Sequence, residues 1–105
     1  MAWLYLFSAG ILEVVWAFTM KQSDGFSRPG PTAITIVTMI GSFALLSLAM
    51  RALSLGTAYT IWTGIGAVGA FLVGVTVLGE ALTPMRIAAA VLIVSGLVMM
   101  KLSAH

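Results

Sequence analysis

Residues 3–20 read WLYLFSAGILEVVWAFTM, an apolar run interrupted by a single acid, Glu13. A stretch of this length can cross a hydrocarbon core about 30 Å thick. At a rise of about 1.5 Å per residue Glu13 lies roughly 15 Å from Trp3, near the bilayer midplane. An acid at that depth costs on the order of 3 kcal/mol on insertion scales. Something must offset the cost, and intramembrane acids ordinarily mark ion pathways, proton relays or cation sites. The segment lacks a basic leading region and is long for the apolar part of a cleaved leader, so it reads as a helix that stays.

The rest of the chain extends this pattern. Of 105 residues 61% are hydrophobic and 8% charged, and so small a soluble domain has no core large enough to hide that apolar surface. The expected class is all-α integral membrane protein, one domain over residues 1–105, with four spans over residues 3–20, 32–50, 57–78 and 85–102. The first connection, KQSDGFSRPGP over residues 21–31, carries the Asp-Gly and Pro-Gly-Pro steps that mark turns. Pro84 suits the first turn of the fourth helix. Net charge is +2, but the bases are scattered at span ends and form no nucleic-acid footprint. There is no cysteine, no metal-ligand cluster and no phosphate loop, so neither a metal nor a cofactor is expected, and no enzymatic motif stands out. The one histidine, His105, is terminal and reads as functionally idle. The seven methionines read as adaptable packing or lipid-facing residues.

Alternating spans place Arg51 and Lys101 on one side, and Lys21, Arg28 and Arg86 on the other. Lys/Arg asymmetry sets membrane orientation, and so even a division sets none. Copies inserted both ways can pair, which points to an antiparallel dimer. Small residues add to that expectation. Trp62, Gly66, Ala70 and Gly74 recur every four residues in span three, and Ala89 and Gly96 share a face of span four. Such stripes let helix backbones approach closely in lipid. Gly64 and Gly66 weaken span three locally and make a kink there the expectation.

A set of groups accompanies the acid. Gly10 and Ala17 flank Glu13 on its helix face, with Trp16 one turn on. Ser42 has a similar depth in span two, and Tyr59 and Trp62 lie about one turn inside the edge of span three. Carboxylate, hydroxyls and indoles together suit a cation: the aromatic faces add about 0.5–2 kcal/mol when desolvated, and a planar guanidinium can meet a carboxylate with two parallel hydrogen bonds. Protons compete for the same carboxylate, and two copies of Glu13 in a dimer would titrate as one unit. Proton/cation exchange follows from these residues.

The stretches AGILEVVWA (residues 9–17), KQSDGFSR (residues 21–28), GTAYTIWTGIG (residues 56–66) and TGIGAVGA (residues 63–70) resemble the small multidrug resistance family, and within it the guanidinium-exporting subtype. In drug exporters of that family a small residue usually takes the place of Trp16. The resemblance implies a dual-topology homodimer of the bacterial inner membrane that exchanges protons for guanidinium, or small substituted guanidiniums, by alternating access. Glu13 would be the shared substrate and proton carboxylate, Gly10, Trp16, Ser42, Tyr59 and Trp62 would line the site, and the Gly64–Gly66 region would flex. Lys101 fits the subtype's tail and reads as a snorkelling side chain. Two other readings stand beside this one. A broad exporter of quaternary ammonium or other lipophilic cations is one, which Trp16 opposes by narrowing the cavity. The other is a membrane assembly protein with Glu13 as a structural hydrogen-bonder, which leaves Trp16, Ser42, Tyr59 and Trp62 unexplained.

Overall fold

A computed structural model describes residues 1–103; His105 lies outside them. Four helices follow one another: α1 (Ala2–Gln22), α2 (Pro29–Ala49), α3 (Leu55–Thr76) and α4 (Pro84–Ser103). Each has 20 to 22 residues and is apolar enough to cross a membrane. At about 1.5 Å per residue each reaches about 30 Å, the thickness of the hydrocarbon core.

Helix starts are set by local chemistry. Arg28 is extended (φ −103°, ψ 118°) because the residue before a proline is pushed out of the helical region. Pro29 and Pro31 then occupy the first turn of α2, where the missing proline N–H removes no helical bond. The Pro-Gly-Pro step therefore begins the helix, three residues ahead of the expected span, rather than making the turn. The reversal comes earlier, where Asp24, Gly25 and Phe26 all adopt positive φ (50°, 72° and 66°). Buried Ser23 holds that turn: its Oγ donates to the Met20 carbonyl at 2.7 Å and accepts from the Phe26 N–H at 3.1 Å. Ser54 caps α3 by accepting from the Thr57 N–H. Thr83 does the same for α4, accepting from the Arg86 N–H at 3.2 Å. At its far end α3 stops at Thr76, and Gly79 takes φ 70° so that the Glu80 N–H can return to the Gly74 carbonyl at 2.9 Å.

The chain folds into a slab with extents of 43 × 35 × 16 Å. Helix α1 lies between α2 and α3, whereas α4 packs on α3 alone. The buried apolar side chains gather where α1, α2 and α3 meet: Leu6, Ala9, Leu46, Ala49, Ala58, Ile61 and Trp62. In α4 no residue is buried. In water such a face would be untenable, but lipid tails are as apolar as the side chains, so exposure there carries little cost.

Candidate functional site

Two neighbouring faces of α1 organise the region around Glu13. One meets α2. Leu12 rests near Gly41, Ser42 donates to the Ala9 carbonyl at 2.7 Å, and Thr19 meets Thr35 at 2.7 Å. Each hydroxyl of that pair also reaches a carbonyl of its own helix, Thr19 that of Trp16 at 3.3 Å and Thr35 that of Pro31 at 2.8 Å. The other face meets α3 through glycines. Ile65 sits over Gly10, the Glu13 side chain lies over Gly66, and Val14 lies over Gly69. A Cβ on Gly10 would stand 2.5 Å from Ile65, and one on Gly66 would collide with the Glu13 carboxyl itself. These glycines let α1 and α3 approach closely and give the acid its seat.

The carboxyl is poorly satisfied where it sits. Its Oε1 is buried without a hydrogen-bond partner, as is the indole Nε1 of Trp16, one helical turn further along α1. An unpaired buried polar atom costs about 1–3 kcal/mol, so two of them one helical turn apart call for an explanation.

From Trp16 a run of aromatic rings crosses α2 to α3. Trp16 meets Phe43 edge-on at 6.4 Å between centroids, Phe43 meets Trp62 at 5.8 Å, and Trp62 meets Tyr59 at 5.6 Å. Trp62 is the buried ring of the run at 7% exposure, between Phe43 at 48% and Tyr59 at 54%. Ser42 fixes its orientation. Trp62 Nε1 donates to Ser42 Oγ at 3.0 Å, and the Ser42 proton goes to the Ala9 carbonyl. Ser42 is therefore engaged as the pivot between α1 and the Trp62 indole, not a free donor. Phe43, which links the two tryptophans, was not foreseen; as one apolar residue among many in α2 it gives no sequence signal. Gly69 was missed for the same reason, being one small residue in a helix rich in them.

The remaining expected positions separate into two groups. Gly64 receives Leu97 of α4, and α3 continues as a helix through both Gly64 and Gly66. Gly74 is covered by the Glu80 side chain, and Ala70 lines a small crevice with Ala17, Lys21 and Glu80. The stripe from Trp62 to Gly74, expected to serve self-association, thus meets α1, α2 and the α3–α4 connection of its own chain, because those elements lie against it. The α4 stripe behaves otherwise. Ala89 is exposed, and a Cβ on Gly96 would meet nothing within 4 Å. Near the start of α4, Arg86 binds Glu80 at 3.3 Å and the Ala81 carbonyl at 2.6 Å, with its guanidinium 5.2 Å from the centre of the Phe71 ring. Among the described residues no three His, Cys, Asp or Glu side chains come together as a metal site.

Residues 1–94 match the family model described as Small Multidrug Resistance protein. Proteins named guanidinium exporter from Escherichia coli (strain K12), Salmonella typhimurium and Citrobacter freundii are 54%, 55% and 53% identical over 105 residues, covering all of this chain and all of each relative. The chain is a member of the small multidrug resistance family.

Proposed function

We propose that this multi-pass membrane protein exports guanidinium in exchange for protons, by alternating access, as an antiparallel homodimer of the bacterial inner membrane. The observation that carries this reading is Glu13: a membrane-embedded carboxyl seated on a glycine, with one oxygen buried and unpaired, one helical turn before the unpaired indole N–H of Trp16. Full-length similarity to proteins named guanidinium exporter supports the choice of cation.

The chemistry follows from one group having two mutually exclusive occupants. An ionised Glu13 offers two oxygens to the forked N–H donors of guanidinium. A protonated Glu13 offers no charge, and the cation leaves. Return of the protonated carrier then moves protons one way as cations move the other, and the two fluxes are coupled because both use the same atoms. Trp16 and Trp62 supply faces that stabilise a desolvated cation, Ser42 positions Trp62, and Tyr59 stands at the outer end. Gly10 gives α3 room beside the acid, and the Gly64–Gly66 segment is where α3 flexes.

Two copies are needed because one chain supplies one carboxyl at depth and a slab too thin to enclose a path. The exposed stripe of Ala89 and Gly96 on α4 is the surface for the second copy, and the even division of loop charges permits the opposite insertion that an antiparallel pair requires.

Proteoliposomes with an imposed pH gradient test the proposal. Guanidinium uptake should rise with the gradient while a tetraalkylammonium ion of the same charge stays near the level of empty vesicles. Equal uptake of both would support a broad cation exporter instead, and guanidinium uptake indifferent to the gradient would remove proton exchange.

A further inference from the structure

Proton/cation exchange gives Lys101 no task. Its Nζ stands 5.2 Å from the centre of the Trp3 ring, so the last turn of α4 reaches across to the first turn of α1 at one membrane edge. Beyond that bridge α1 and α4 do not pack on each other. Between them runs a groove of about 700 Å³, with Lys101 at its edge and walls that include Leu4, Phe7, Ile61, Ile65, Leu97 and Val98. Among the described residues no side-chain carboxylate pairs with Lys101; the one ion pair is Glu80 with Arg86, at the other edge.

A membrane-edge ammonium above an apolar groove that runs into the hydrocarbon depth has the shape and charge of a phospholipid site. We propose that this groove holds one anionic phospholipid of the surrounding bilayer, its phosphate against Lys101 and an acyl chain along Leu4, Phe7 and Val98. Charge selects this occupant. Phosphate complements an ammonium that no described side-chain carboxylate pairs, and the Trp3 indole, a side chain favoured at headgroup depth, keeps that ammonium at the interface. A second copy in antiparallel orientation would bring its own Lys21, Arg28 and Arg86 to this edge against Asp24 and Glu80, three bases to two acids. That set does not complement Lys101.

Lipid retention by the whole protein, measured by native mass spectrometry after reconstitution in equal amounts of phosphatidylglycerol and phosphatidylcholine with the same chains, tests the site. The wild-type protein should retain phosphatidylglycerol about fivefold over phosphatidylcholine, the preference one interfacial lysine supplies. Lys101→Gln should abolish the preference, whereas Lys101→Arg and the control Lys21→Gln should keep it. Val98→Trp fills the groove with the charge intact and should reduce retention of both lipids. The proposal is overturned by equal retention of the two lipids in the wild type, by a preference that survives Lys101→Gln, or by full retention in Val98→Trp. Disulfide formation between two copies of Val98→Cys would also overturn it, because a second copy would then fill the groove.

Discussion

Helices α1 and α4 are nearly equal in length and both apolar enough to span a membrane, yet they have opposite surroundings. Helix α1 is held on two sides, by hydroxyl bonds to α2 and by side chains laid over glycines of α3. Helix α4 has no buried residue and one tight contact, Leu97 on Gly64. The contrast shows what organises helices in lipid. Apolar surface gives no drive to associate there, so close backbone approach and polar bonds decide which helices pack. Glu13 lies on the helix that is held in this way, with its side chain over Gly66. The helix without such groups is the one to which the proposed second copy and lipid are assigned.

The largest effect should come from adding the same isopropyl group at a glycine of α3 and at a glycine of α4. Gly66→Val drives a side chain into the Glu13 carboxyl, and guanidinium exchange should fall about 100-fold, as when a reacting group is misplaced by an ångström. Gly96→Val meets open space within the chain, so the protomer should fold normally and the dimer alone should weaken. Exchange rates and cross-linking yields of the two variants separate these outcomes. Equal loss of exchange with intact dimers in both would erase the distinction between α1 and α4.

Ser42→Ala should be next. It leaves the Trp62 N–H without its acceptor, a loss of about 1–3 kcal/mol in a buried site, and guanidinium binding followed by tryptophan fluorescence should weaken about tenfold, equivalent to about 1.4 kcal/mol. Unchanged binding would mean that Trp62 needs no positioning. Trp16→Gly removes one aromatic wall and a cation contact of about 1 kcal/mol. Export of guanidinium should drop about fivefold relative to a bulkier aromatic cation compared in the same membranes. A constant ratio would make Trp16 a packing residue. The smallest effect belongs to the α4 side. Both partners of the Arg86–Glu80 pair are partly exposed, at 38% and 44%, and such pairs contribute about 0–1 kcal/mol. Arg86→Ala should therefore lower the thermal midpoint only slightly and leave exchange near wild type; a loss comparable to that of Ser42→Ala would move the α3–α4 connection into the machinery.

Much of this was legible in the residues. Four apolar runs are unmistakable, and an acid in the middle of one stands out because its cost is large. The indole, hydroxyl and phenol companions could be gathered by depth alone. Partners were harder to read. The period-four stripe of α3 announces close approach but not to what, and its neighbours proved to be α1, α2 and the connection after α3 in the same chain. Pro-Gly-Pro reads equally as a turn or as a first helical turn, and the choice fell to Ser23, whose bonds close the reversal before the prolines begin. Phe43 was invisible because an aromatic residue facing another aromatic looks, in sequence, like one facing lipid. The Ser42 bridge needed two helices placed side by side, which no spacing within either helix specifies.

The account rests on Glu13 carrying cation and proton by turns. Glu13→Gln keeps a hydrogen-bonding group of the same size over Gly66 but can neither hold a cation by charge nor release a proton. Guanidinium uptake into proteoliposomes should be followed for the wild type and for this variant, at matched protein incorporation and under the same pH gradient. Normal insertion and dimer formation with uptake no greater than that of empty vesicles is the result predicted. Uptake at the wild-type rate, still driven by the gradient, would contradict the assignment.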